Sequence, residues 1–142
     1  MKTAELTLKK SKGANITAWT LQVVLSLMFI MTGAMKSFLP VEQLSASLPW
    51  VAEVPGGLVR FIGLAELLGG FGLILPSLFK IKTRLTPLAA LGIVSVMVAA
   101  SIFHVVRGEM GVIGMNIVLA GLAGTVAWLR LNKAPLQDKV RK

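Results

Sequence analysis

The chain alternates long apolar runs with short polar segments. Four apolar runs cover residues 16–35, 58–75, 85–103 and 110–129, and the only charged residues inside them are Arg60 and Glu66. An α-helix needs about 20 such residues to cross the roughly 30 Å of hydrocarbon in a bilayer. None of the runs shows the period-two alternation of a membrane strand. The pattern predicts four transmembrane helices, over about 15–36, 58–76, 86–106 and 111–130.

The connections between these helices indicate the fold. Residues 77–84 and 107–109 are short enough for tight turns, so consecutive helices should be antiparallel. The longer connection, 37–57, has helical spacing of apolar residues over 41–48, followed by Trp50. We expect a short amphipathic element there, lying on the outer leaflet or capping the bundle as a partial lid. The predicted fold class is all-α, an integral membrane four-helix bundle with up-down topology.

Composition and charge support this class and set an orientation. The chain of 142 residues is 55% hydrophobic with a mean hydropathy of +0.78, which exceeds the apolar content of an ordinary soluble domain. Its net charge is +9, and of its 15 basic residues only Lys36, Arg60 and Arg107 lie away from the N-terminal tail, the 77–84 connection and the C-terminal stretch that begins at Arg130. By the positive-inside rule, this asymmetry predicts that both termini are cytoplasmic.

The same distribution indicates the partners. The basic residues flank the apolar runs, so we expect them to contact anionic lipid headgroups of the bilayer rather than a nucleic acid. One domain is expected, a bundle over 14–131 between basic cytoplasmic tails at 1–13 and 132–142. Cysteine is absent and His104 is the single histidine, so the chain cannot supply a conventional zinc site.

The remaining polar residues of the predicted spans collect in one half of the bundle. At 1.5 Å per residue, Glu66 lies about 12 Å below the outer start of the second helix, near the midplane. Every predicted helix contributes at least one other polar side chain to the outer half. These side chains are Lys36, Arg60, His104, Arg107 and Asn116. Gln22 is the exception, in the cytoplasmic half. Arg130, with Trp128, is expected at the cytoplasmic interface.

Glu66 is the best candidate for a functional centre, because a carboxylate at that depth is costly unless it is paired or used. Gly63 and Gly70 share its stripe on the second helix, which should let a neighbouring helix approach closely and point Glu66 into the bundle. Two interpretations stay open. Glu66 forms a structural ion pair with Arg60, Lys36 or His104, or it is a proton-exchanging carboxylate.

For the other polar residues, a structural and a functional interpretation are likewise both open. His104 either bonds to a loop carbonyl or carries protons or binds a ligand. Lys36, Arg60 and Arg107, taken singly, are typical of cations that extend towards the interface from helix ends. Asn116 is equally typical of a hydrogen bond between helices.

Two motifs resemble those of the DoxX-like family of small bacterial four-helix membrane proteins. They are Phe29-x-x-x-Gly33-x-x-Lys36 and Gly63-x-x-Glu66-x-x-Gly69-Gly70-x-Gly72-Leu-Ile-Leu-Pro76, and the positions of His104 and Asn116 also fit. The resemblance covers residues 19–128 approximately. It implies the fold above and a multi-pass location in the bacterial inner membrane.

The family takes its name from subunits of a quinone-linked thiosulfate oxidoreductase. The resemblance therefore implies a membrane subunit linked to redox chemistry, with a quinone as the cofactor and a redox protein as a partner. Glu66 and His104 would exchange protons, and the cofactor would be held by Lys36, Arg60, Arg107 and Asn116. The alternative is a non-catalytic assembly or partner-binding subunit whose polar cluster fixes the register of the helices. Either function is compatible with an oligomer.

Overall fold

The structure is a computed structural model that describes residues 11–140. Its helices, in chain order, are α1 (Lys12–Phe38), α2 (Val41–Ser47), α3 (Gly56–Phe79), α4 (Leu85–Val106) and α5 (Met110–Trp128). A 3₁₀ turn (Pro49–Glu53) follows α2, and a turn of π-helix (Leu129–Lys133) continues α5. Four helices, α1, α3, α4 and α5 with its π turn, are long and apolar enough to cross a membrane. The predicted all-α class with four spans is confirmed.

Two helix ends differ from the prediction. Helix α1 begins at Lys12 rather than near residue 15, because the side chain of Ser11 caps it by accepting from the backbone N–H of Ala14 at 3.3 Å. Helix α3 continues past Pro76 to Phe79. It ends where Lys80 adopts a left-handed conformation (φ 54°) and donates its N–H to the carbonyl of Pro76. The left-handed cap, rather than the proline, terminates the helix.

Helices α1 and α3 make the closest contact in the bundle. A Cβ atom on Gly33 would lie 2.7 Å from the backbone nitrogen of Leu67 and 2.8 Å from the carbonyl of Gly63, so only glycine fits there. Ser26, earlier in α1, lies against Gly70, later in α3, and the two helices are therefore antiparallel. The prediction that small residues around Glu66 admit a neighbouring helix is confirmed, and that helix is α1.

The other helices complete the bundle around an apolar core. Helix α4 packs on α3 in the opposite direction, with Ile93 against Gly69 and Ala89 against Gly72. Helix α5 packs on α4 and on α1. The core is formed by Leu25, Phe29, Leu73, Ala90, Ile93, Met97, Ala123, Val126 and Ala127.

Each end of the bundle is covered by a segment outside the four long helices. At the α2 end, Leu44 of α2 and Val51 of the 3₁₀ turn are buried against Val59 of α3. Residues 41–53 are thus packed on the bundle, which supports the lid alternative. At the opposite, basic end, residues 134–139 lie against the α3–α4 connection, where Thr83 donates its N–H to Asp138 Oδ1 at 2.7 Å.

Candidate functional site

The close contact of α1 and α3 brings Lys36 to Glu66. Their Nζ and Oε1 atoms are 2.7 Å apart, and the side chains are only 13% and 5% exposed. Arg60 does not meet Glu66; its Nη1 donates to the backbone carbonyl of Lys36 at 2.7 Å and so braces the end of α1. Of the three cations considered from the sequence, Lys36 is the partner of Glu66. The second carboxylate oxygen, Oε2, is buried and has no hydrogen-bond partner among the described residues.

A cavity of about 410 Å³ lies beside this ion pair. Most of its lining is apolar, and the polar side chains in its wall are Lys36, Glu66, His104 and Asn116. Asn116 comes from α5 and is 8% exposed. Its Nδ2 atom, like Glu66 Oε2, is buried without a partner within residues 11–140. Two of the lining residues therefore each carry one buried polar atom without a described partner, an acceptor on Glu66 and a donor on Asn116.

Aromatic side chains cover the cavity at the α2 end. Trp50, from the 3₁₀ turn, makes edge-on contacts with Phe103 (centroids 5.8 Å apart) and with His104 (6.4 Å). All three residues line the cavity. Rings packed edge to face in this way form a stable apolar cover.

His104 is held by a carboxylate that follows it in the chain. Its Nδ1 atom is 2.6 Å from Glu109 Oε2. Hydrogen bonds from Arg107 and then from His104 lower the pKa of Glu109, so this group is ionised at neutral pH and can only accept. His104 must therefore donate from Nδ1, which in the neutral ring leaves Nε2 as an acceptor.

Arg107 joins this arrangement to the lid. Its Nη2 atom is 2.9 Å from Glu109 Oε1 and 2.7 Å from Glu53 Oε2 in the 3₁₀ turn. The hydrogen bonds to Glu109 and Glu53 raise the pKa of Arg107. A glycine, Gly108 (φ 73°), allows the chain to turn so that Glu109 reaches back to both Arg107 and His104.

The structure thus divides the predicted site residues into two groups. Lys36, Glu66, His104 and Asn116 line one cavity. Arg60 and Arg107 are not in its lining and instead position the segments around it.

The sequence analysis did not identify Glu53 and Glu109 as part of this arrangement. Both lie outside the apolar runs, where an acidic residue is ordinary and no local pattern distinguishes a partner from a solvated side chain. The i, i+3 spacing of His104 and Arg107 was the available signal, because two such groups on one helix face can share an acid.

A second polar network lies at the basic end. Arg130 was expected at the interface, but it is buried, only 3% exposed. The reason is that Arg130 donates from Nε to Gln22 Oε1 (2.6 Å) and from Nη1 to Asn15 Oδ1 (2.8 Å). Gln22 in turn donates to the carbonyl of Leu73 at 2.6 Å. Gln22, which lay apart from the other polar residues in the sequence, is therefore a central member of this network.

Comparison with known proteins identifies the family. A sequence model of the DoxX-like family matches residues 20–126, a range that contains the four polar residues of the cavity. No curated protein and no solved structure matches the chain. The matched range is well over half of the chain, and the four apolar helices agree with it. The chain belongs to the DoxX-like family and is a multi-pass membrane protein.

Proposed function

We propose that this protein is a membrane subunit linked to redox chemistry and that its cavity binds the head group of a quinone. The observation that carries the proposal is the pair of spare buried atoms, Glu66 Oε2 and Asn116 Nδ2, in residues that line a mostly apolar cavity. A quinone carbonyl is an acceptor and a quinol hydroxyl is a donor, so the two atoms suit such a head group. When bound, it would supply two-electron, two-proton redox chemistry.

The residues of the chain have distinct roles in this proposal. Asn116 Nδ2 donates to a carbonyl of the ligand, and Glu66 Oε2 accepts from a hydroxyl. Lys36 stabilises the charge of Glu66 from 2.7 Å. In the neutral ring of His104, the hydrogen bond from Nδ1 to Glu109 leaves Nε2 as a second acceptor. We expect the cover made by Trp50 to limit the access of water, which would strengthen each of these interactions.

The surroundings of the cavity suit a ligand that arrives through the lipid. Its lining includes Phe61 of α3, which is 69% exposed on the outside of the bundle, and Ala99 of α4. A second apolar groove, of about 460 Å³, runs on between α3 and α4 and shares Ala65 and Val96 with the cavity. A hydrocarbon tail attached to the head group would fit this groove.

The proposal extends to the location and the partner. A quinone pool dissolved in the bacterial inner membrane is the source of ligand that we propose. Electrons would come from a redox protein bound to this subunit, and a second copy of the chain is compatible with the arrangement.

One observation favours the alternative, a non-catalytic assembly subunit. The Lys36–Glu66 pair lies next to the tight Gly33–Gly63 contact, where a charged pair would help to fix the register of α1 on α3. Under this alternative the cavity has no ligand, and the polar residues only specify the fold.

Quinone binding to the purified full chain in lipid nanodiscs separates the two functions. Asn116→Leu is the most informative variant, because Asn116 Nδ2 has no hydrogen-bond partner to lose among residues 11–140 and leucine has a similar size. We expect it to keep the unfolding temperature and to weaken quinone binding about tenfold, the equivalent of one hydrogen bond. Glu66→Gln should weaken binding of the quinol by at least as much, because Glu66 Oε2 accepts from a quinol hydroxyl.

The matched control is Glu42→Gln, the same change at an exposed position of α2, which should bind as the wild type does. If the wild type binds no quinone, the redox function is wrong. If the wild type binds but Asn116→Leu and Glu66→Gln bind equally well, the ligand is not in this cavity.

A further inference from the structure

Arg130 is a buried cation whose contacts within residues 11–140 are all neutral. Its described hydrogen-bond partners are Gln22, Asn15 and the carbonyl of Ala134, and its guanidinium lies 5.2 Å from the ring of Trp19. No carboxylate within residues 11–140 forms an ion pair with it. The Nη2 atom, with two N–H groups, is buried and has no hydrogen-bond partner in the described part of the chain. Burying a charge without a counter-charge is costly, and an anion bound next to Arg130 would offset this cost.

A cavity that suits an anion lies beside Arg130. Its volume is about 420 Å³, and Arg130, Arg84 and Thr83 contribute to its wall. The remaining lining residues are proline and leucine, so both charges at this cavity are positive. Arg84 makes no side-chain hydrogen bond in the described structure and is exposed. Its guanidinium has no hydrogen-bond partner within residues 11–140 and can close on a ligand, although its charge also acts on the carboxylate of Asp138.

The nearest acidic group is already engaged. Asp138 accepts from the N–H of Thr83 at 2.7 Å and from its hydroxyl at 2.8 Å. These hydrogen bonds, with smaller contributions from the backbone of Lys82 and the charge of Arg84, lower the pKa of Asp138. Asp138 is therefore held as a carboxylate mainly by Thr83 and not by Arg130. The backbone contact between Lys139 and Lys80, at 2.7 Å, fixes the same segment as one wall of the cavity.

We infer that Arg130 and Arg84 form a binding site for a phosphate group at the basic end of the bundle. Guanidinium groups bind phosphate with charge-assisted hydrogen bonds, and two of them on one cavity match its charge. Trp19 and Trp128 lie at the same end, as expected at the level of lipid headgroups. That depth favours the phosphate of an anionic phospholipid over phosphate from solution. The site is separate from the proposed quinone cavity and does not depend on it.

The test measures the unfolding temperature of the delipidated full chain in detergent. Three compounds are titrated at constant ionic strength: phosphatidylglycerol, diacylglycerol with the same acyl chains, and inorganic phosphate. We expect a saturable rise with phosphatidylglycerol and none with diacylglycerol, since ligands that bind the folded state stabilise it. An equal rise with inorganic phosphate would assign the site to free phosphate. If neither phosphate compound stabilises the protein, the inference is wrong.

Variants locate the binding. Arg84→Gln should fold normally and weaken phosphatidylglycerol binding about tenfold, the loss of one charge-assisted contact. Arg130→Gln should remove saturable binding; if it fails to fold, the Arg84→Gln result still decides. Lys133→Gln is the matched control, because Lys133 carries the same charge at the same end but lies over the ring of Trp128, outside the cavity. An equal loss in Lys133→Gln and Arg84→Gln would indicate general attraction to anionic lipid and overturn the site.

Discussion

The two charges of the Lys36–Glu66 pair differ in how easily each could reach water. Glu66 has a short side chain near the middle of α3 and is 5% exposed, so it cannot reach solvent without unfolding the helix. Lys36 lies in the last turn of α1 and has a long flexible stem, which would let its ammonium group extend towards the interface. Removing the lysine should therefore be more harmful than removing the carboxylate.

We predict that Lys36→Met destabilises the bundle by about 3 kcal/mol, because it leaves a buried carboxylate without its counter-charge. The methionine keeps most of the apolar stem, so the loss is mainly electrostatic. Glu66→Gln should cost less, since Lys36 can turn outwards. The measurement is the free energy of unfolding in mixed micelles, compared with the wild type.

The double variant Lys36→Met/Glu66→Gln is the control for this prediction. It contains neither charge, so it should be more stable than Lys36→Met alone. A double variant that loses the full sum of the two single effects would show that the residues do not interact.

For single residues, the sequence indicates which polar groups are important more reliably than it indicates which residues they contact. Glu66 and Asn116 stood out because polar groups inside apolar runs are costly wherever they point. The partners could not be read in the same way, since Glu53 and Glu109 lie in loops. Arg130 was misjudged because a cation at a helix end normally reaches water, and only the folded chain shows Gln22 and Asn15 meeting it.

At the scale of elements, the apolar runs predicted all four long helices but not all of their ends. Pro76 was taken as the end of α3, yet a proline removes only one hydrogen bond, and the last turn persists until Lys80 caps it. The contact of α1 with α3 was predictable only in part, although Gly33 of α1 belongs to one of the two motifs. Glycines on α3 indicated a close neighbour, but identifying α1 required the three-dimensional pairing of Gly33 with Gly63.

We predict that Gly33→Ala destabilises the protein by about 2 kcal/mol, the usual cost of overpacking a tight contact. The new Cβ would lie within 3 Å of the backbone of α3 at Leu67 and Gly63, and backbone cannot move aside as a side chain can. Gly121→Ala is the control, because no atom of a neighbouring helix or loop in the described structure lies within 4 Å of its Cβ position. It should be neutral or slightly stabilising, since alanine favours helix. Equal effects on unfolding in both variants would contradict the close contact.

For the whole molecule, the bundle has two chemically different ends. The α2 end carries the cavity and four of the acidic residues, Glu42, Glu53, Glu66 and Glu109. The opposite end carries the basic connection and the network around Arg130. Neighbouring helices are antiparallel, so the two ends of the bundle face opposite sides of the membrane. The orientation of one end therefore determines that of the other. If the basic end is cytoplasmic, the polar part of the cavity lies in the outer half of the membrane, and protons released there would leave on the outer side.

We predict that this orientation can be read by labelling single introduced cysteines, because the chain has none of its own. Glu42→Cys places a thiol on the exposed face of α2, and Val140→Cys places one at the exposed C-terminal end of the described residues. In sealed spheroplasts, a membrane-impermeant maleimide should label Glu42→Cys at once and Val140→Cys only after the membrane is permeabilised. The cysteine-free wild type is the control for background. The reverse pattern would show that the basic end faces outwards and would move proton exchange at Glu66 to the cytoplasmic half.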